Sequence, residues 1–132
     1  MNKTILLPFL LFIHLVPTTF HETDIVQDLA TFFKSGNSKE IAAHFSPTVE
    51  LNILNEEEVY SKPQAEQIVR DFFTKHNPTG ATVIHKIDTN PNYRFCILSL
   101  ATRNGKFRIS ITLKKTNAEF FITEMSIEPD KL

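Results

Sequence analysis

The chain has no tryptophan, one cysteine and three glycines among its 132 residues. With Cys96 alone, no internal disulfide can form, so stability must come from a hydrophobic core. Cys96 lies in an apolar stretch, the setting of a buried, inert thiol rather than a nucleophile. Three glycines cannot build a glycine-rich phosphate loop, and they read instead as helix stops and turns. The five histidines form no HExxH run and no cluster with cysteine, so no metal site and no cofactor is expected. Neither sign of charge dominates. The formal net charge is −1, without the basic excess of a nucleic-acid binder. Lys106, Arg108, Lys114 and Lys115 read as the solvated face of a hairpin. Asn55 through Glu58 read as an acidic turn, because a calcium loop needs alternating ligands and a glycine.

Long apolar runs are also scarce. The one clear case, Ile5 to Val16, follows the lone charge of Lys3 and is interrupted by Pro8 and His14. A basic start, about a dozen apolar residues and a small polar tail make the pattern of a secretory signal peptide. It is short of the roughly 20 apolar residues that a membrane span needs. We therefore expect a signal peptide over residues 1–20, cut between Thr18 and Glu22, and a single domain over 21–132. The mature chain should be exported to the periplasm or the medium, with no membrane association once the signal is removed. Removing Lys3 leaves thirteen basic against fifteen acidic residues.

From Asp24 the periodicity is helical. Ile25, Val26, Leu29, Phe32 and Phe33 mark one helix face, with Asp24 as cap and Ser35-Gly36 as stop. Asn37 caps a short second helix that reaches His44, with Pro47 closing the element. Val49 to Ile53 alternates as a strand, and Val59-Tyr60 reads as a short edge strand. Ser61, Pro63 and Gln64 then start a third helix whose apolar face is Ala65, Ile68, Val69, Phe72 and Phe73. Asn77-Pro78 ends it. Beyond Gly80 the period becomes that of strands, expected over Thr82–Asp88, Tyr93–Thr102, Lys106–Lys114 and Glu119–Glu128. Asn104-Gly105 is the pair favoured at the tip of a two-residue hairpin loop, which would set Leu100 against Ile109, Leu98 against Ile111 and Cys96 against Leu113. That pairing puts Cys96, Leu98, Leu100, Phe107, Ile109, Ile111 and Leu113 on one face, toward the helices. In the last strand Phe120 to Ile122 and Met125 to Ile127 break alternation, which a bulge near Thr123-Glu124 would reconcile.

The fold class is therefore α+β, with three N-terminal helices packed on a curved, mainly antiparallel sheet of four to six strands. The order of elements over residues 24–128 resembles the nuclear transport factor 2-like fold, a cone of helices over a bent sheet. Phe33-Lys34-Ser35-Gly36-Asn37, Val59-Tyr60-Ser61-Lys62 and Ile84-His85-Lys86 resemble stretches of an uncharacterised family of small exported proteins from Gram-negative bacteria with this fold. The resemblance implies the fold and no activity, since this fold hosts isomerases, dehydratases and binding modules alike. In its enzymes, acids, bases and a hydroxyl sit inside the cone.

Here the helix-facing sheet residues are almost wholly apolar, and none is a base within reach of a substrate. No catalytic residue is assigned. His85 shares an alternation with Val83 and Ile87 and could enter the cavity; the opposite phase, with Ile84 inside, is equally compatible. Tyr60 could bring a phenol to the cavity rim. His85 and Tyr60 are the ligand-binding candidates, and the expected function is a non-catalytic module for a small apolar ligand or a protein. The alternative is an isomerase or dehydratase using His85 in the cone. His44 and His76 are placed at helix ends, against terminal carbonyls. Phe95 and Ile97, bordered by Arg108, Ser110 and Thr112, fall on the sheet face away from the helices and would suit a homodimer contact.

Overall fold

The computed structural model describes residues 24–131 together with Pro8, Leu11 and Ile13. Apart from those three positions, the expected signal peptide and its cleavage region lie outside the described residues.

Two helices open the fold. Helix α1 (Ile25–Ser35) starts where the Asp24 carboxylate accepts the Val26 N–H at 3.0 Å. It ends at Gly36, whose φ of 65° is left-handed and whose N–H meets the Phe32 and Phe33 carbonyls. Asn37 caps α2 (Ser38–Ala43), accepting the Glu40 N–H at 3.2 Å. Strand β1 (Phe45–Ile53) then begins at once, so Pro47 stands inside a strand rather than after a helix. It is tolerated because pairing with β2 (Glu56–Ser61) begins only at Thr48, and the register with the last strand shifts between Phe45 and Glu50. Glu56 to Glu58 belong to β2 and not to a turn. The reversal is Leu54-Asn55, both at positive φ, a two-residue loop built without glycine. Helix α3 (Lys62–Lys75) carries the full capping box expected of Ser61 and Gln64.

Four long strands complete the chain: β3 (Pro78–Ile87), β4 (Tyr93–Thr102), β5 (Gly105–Thr116) and β6 (Glu119–Pro129). They join one six-stranded sheet in the order β2-β1-β6-β5-β4-β3. All pairs are antiparallel except β1 with β6, which run parallel. The helices do not form one N-terminal group, because α3 enters only after the first hairpin.

The β4–β5 hairpin corrects the expected register by two residues. Thr102 pairs with Gly105, so the tip is Arg103-Asn104, and Leu100 faces Phe107, Leu98 faces Ile109 and Cys96 faces Ile111. A slip of two preserves which side chains share a face. Cys96, Leu98, Leu100, Phe107, Ile109, Ile111 and Leu113 are accordingly all buried under the helices. The bulge in β6 falls where the broken alternation places it. Leu113 pairs with Ile122 and Thr112 with Glu124, which leaves Thr123 as the extra residue. Ile122, Met125 and Ile127 are thereby all buried, while the Thr123 hydroxyl is left buried without a partner.

Strand β3 is tied to α1 through Lys86, whose Nζ lies 2.6 Å from the Asp24 carboxylate and 3.5 Å from that of Asp88. Burial opposes ionisation of Asp24, but the Lys86 hydrogen bond, the Val26 N–H and nearby positive charge outweigh it and hold its pKa below the ordinary value. A depressed carboxyl pKa stabilises the folded state above the unfolded-chain value near 4, and that contribution is lost as pH falls through the folded value. Asp24→Ala should cost about 1–2 kcal/mol in urea unfolding at neutral pH, most of it from the lost cap. Asp24→Asn, which keeps the capping oxygen, should lose only the smaller ion-pair part. The gap between wild type and Asp24→Ala should narrow below about pH 4, and a gap unchanged there would show that the carboxylate charge contributes nothing.

Candidate functional site

Between α3 and the β1–β2 hairpin lies an open cavity of about 330 Å³. Its existence follows from the local sequence. Helix α3 turns Val69, Phe72 and Phe73 into the core, while Ile68 remains half-buried and faces the hairpin. The hairpin stays paired from Thr48 to Glu56, with Leu51 and Ile53 supplying apolar wall and Leu54 the rim. Polar groups converge on the same space: Tyr60 and Glu56 from β2, and Asp71, Lys75 and His76 from the last turn of α3 and its cap. This volume is at the lower end of the range for small-molecule sites, and an apolar wall with a few placed polar groups is their usual composition.

Tyr60, a candidate from the sequence, lines this cavity. Burial of the ring, then the Glu58 carboxylate and the charge of Glu56, raise its hydroxyl pKa above the ordinary value. Part of the raised value reflects a phenol hydrogen shared with the Glu58 carboxylate.

His76 is the cavity residue that the sequence did not single out. Its ring packs against Phe72, with centroids 4.8 Å apart, and Phe107, 4.7 Å away, and those two rings also touch each other at 5.1 Å. Its Nδ1 lies 3.0 Å from Asn104 Oδ1. The Asn104 amide is itself oriented, because its Nδ2 donates to the Lys75 carbonyl at 3.1 Å. Only Oδ1 can then face the imidazole, and since it accepts, Nδ1 must carry the hydrogen. The neutral ring consequently presents Nε2 as an acceptor. At sequence level the one trace of this arrangement is the Asn104-Gly105 signal itself, which marks a turn without saying that its asparagine reaches back to a helix end.

His85 stands elsewhere. Val83 pairs with Leu98 but His85 pairs with Ile97, so Ile84 is an inserted residue and the alternation reverses across it. Val83 faces the helices, whereas His85 is exposed on the opposite side of the strand and is not among the cavity residues. Val83 and His85 thus do not share a face. His44, at the cap of α2, donates its backbone N–H to the last carbonyls of that helix, while its ring stacks on Phe32 at 6.1 Å.

The uncovered sheet face is less apolar than the strand pattern implied. Ile97 and Thr112 are each only 9 % exposed, Phe95 is half-buried, Ser110 is half-buried and Arg108 is exposed. A smaller hollow of about 190 Å³ opens on this face, where Glu50, Glu57 and Glu124 meet. A hydrogen bond that protonated Glu50 donates to the Glu57 carboxylate, burial, and the Glu124 charge together raise the Glu50 pKa above its ordinary value. The nearby Asn52 Oδ1 is buried without a hydrogen-bond partner. Burial drives the Cys96 thiol up to about 12, which makes it inert. Among the described residues no group of three or more His, Cys, Asp or Glu side chains could hold a metal ion.

Comparison with known proteins adds a family and a fold. The model of a domain of unknown function, DUF4783, matches residues 26–128. A solved DUF4783 family protein from Bacteroides uniformis is 27 % identical, with a TM-score of 0.78 over 83 % of this chain and 100 % of that one. A second, from Bacteroides ovatus, is 30 % identical, with a TM-score of 0.75 over 79 % of this chain and 94 % of that one. An NTF-2 like protein of unknown function from Silicibacter pomeroyi is similar in fold alone, at 9 % identity and a TM-score of 0.60 over 80 % of this chain and 90 % of that one. No curated protein matches the chain.

Proposed function

The chain belongs to the DUF4783 family of domains of unknown function, and we propose that it is an exported module that binds a small, mainly apolar molecule between α3 and the β1–β2 hairpin. The observation that carries this reading is the cavity itself: about 330 Å³ of open space beside the buried core. A domain without disulfides gains nothing in stability from an unfilled hollow, since apolar walls left uncovered forgo burial. Ile53, Leu54 and Ile68 offer a ligand the burial that drives binding, and Tyr60 and His76 offer it orientation. Export rests on the pattern of the first twenty residues, and it would bring the site to ligands outside the cytoplasm.

Native mass spectrometry of the protein purified from its own host tests both parts. The expected spectrum shows a chain beginning between Thr18 and Glu22, part of it carrying a bound small molecule that is released at higher collision energy. A chain starting at Met1 or Asn2 would remove export from the proposal. A mature chain that never carries a ligand, even after incubation with a small hydrophobic phenol, would remove binding.

A further inference from the structure

Resting on that cavity reading, we infer that His76 Nε2 is its polar anchor, and that the ligand class is a neutral phenol or alcohol that donates its hydroxyl hydrogen to that nitrogen. Three observations on separate elements converge on this one atom. First, the ring cannot readily turn. Phe72 of α3 and Phe107 of β5 pack against it at 4.8 and 4.7 Å and on each other at 5.1 Å, so the imidazole is the third ring of a cluster. Second, the hairpin tip fixes the position of the ring hydrogen. Asn104 Oδ1 occupies Nδ1 at 3.0 Å, and the amide cannot flip without losing the 3.1 Å bond from Nδ2 to the Lys75 carbonyl. Third, the imidazole lines the cavity and its Nε2 makes no hydrogen bond within the described residues.

The surrounding charge selects among donors and acceptors. Glu56 and Asp71 line the cavity against a single cation, Lys75, so a carboxylate or phosphate ligand would meet two like charges. A neutral hydroxyl meets none of that repulsion. It gives the Nε2 acceptor a hydrogen-bond partner that an ether or a hydrocarbon cannot supply. Asn104 touches no ligand in this arrangement. It is a positioning residue, acting through the tautomer of His76.

Ligand-observed NMR titration of the protein with 4-ethylphenol and with its methyl ether, 4-ethylanisole, separates the anchor from simple apolar burial. The phenol should bind about tenfold more tightly than the ether. His76→Phe keeps an aromatic ring against Phe72 and Phe107 and removes the acceptor, so it should bind both probes alike. Asn104→Leu should weaken the preference severalfold, and nitrogen-15 spectra should show His76 leaving the single Nδ1–H tautomer seen in the wild type. Equal affinity of the wild type for phenol and ether overturns the anchor while leaving the cavity in place. A preference that survives in His76→Phe overturns it too. Absence of binding by both probes overturns the cavity reading and the anchor with it.

Discussion

Phe33→Ala should lower the melting temperature by roughly 15 °C. Phe33 is fully buried where α1 meets the rest of the core, and its ring packs edge-on against Phe73 of α3 at 5.8 Å. Truncating such a side chain removes its transfer free energy and leaves a hole that the neighbours only partly fill, a loss of about 3–5 kcal/mol. For a domain of this size each kcal/mol is worth about 4 °C. The adjacent chain cannot easily collapse into the space, because Gly36 holds its left-handed conformation with Pro78 Cγ only 3.3 Å from where a Cβ would stand. With no disulfide in reserve, nothing limits the loss to the helix. Thermal unfolding followed by circular dichroism checks it, and a shift below about 4 °C would mean that α1 is not docked through Phe33.

Ile68→Trp should abolish ligand binding while leaving the melting temperature within a few degrees of wild type. Ile68 is half-buried on the cavity side of α3 and packs against the core only in part. An indole there fills space that is open in the wild type rather than space already occupied, so overpacking strain is avoided. A ligand must then displace a covalently attached competitor, and affinity for 4-ethylphenol should fall at least about tenfold. The same titration used for His76 reads the outcome. Unchanged affinity in a folded Ile68→Trp variant would place the binding site somewhere other than between α3 and the first hairpin.

The parts of the fold legible in the sequence were those governed by local chemistry. Asp24, Asn37 and Ser61 cap their helices as their side chains dictate, and alternation put the right residues of β4 and β5 under the helices. What escaped was set by contacts distant in sequence. Asn104-Gly105 suggested a tip at those two residues, but Asn104 is drawn to the Lys75 carbonyl and the His76 ring, while the Arg103 N–H bonds the Asn77 carbonyl. The loop moved to Arg103-Asn104, and the face assignment survived only because the slip was even. In β3 the outcome was different. One inserted residue, Ile84, reversed the phase and carried His85 to the uncovered side. The β6 bulge could be inferred because apolar residues flank it on both sides, whereas the mixed burial of β3 leaves its alternation without such a check. The candidate site was half legible for the same reason. Tyr60 stands on a strand whose edge position was readable, while His76 acquires its role from a hairpin that follows it by 28 residues.

The parallel pairing of β1 with β6 sets the order in which the molecule can come into being. Among the described residues the β1–β2 hairpin has no other sheet neighbour than β6, and β6 comes after the other five strands in sequence. A ribosome that has released everything up to β5 therefore holds two separate half-sheets that cannot yet be joined. Contacts of such long sequence separation are slow to form, and here the seam between the half-sheets waits for β6, the last of the six strands in sequence order.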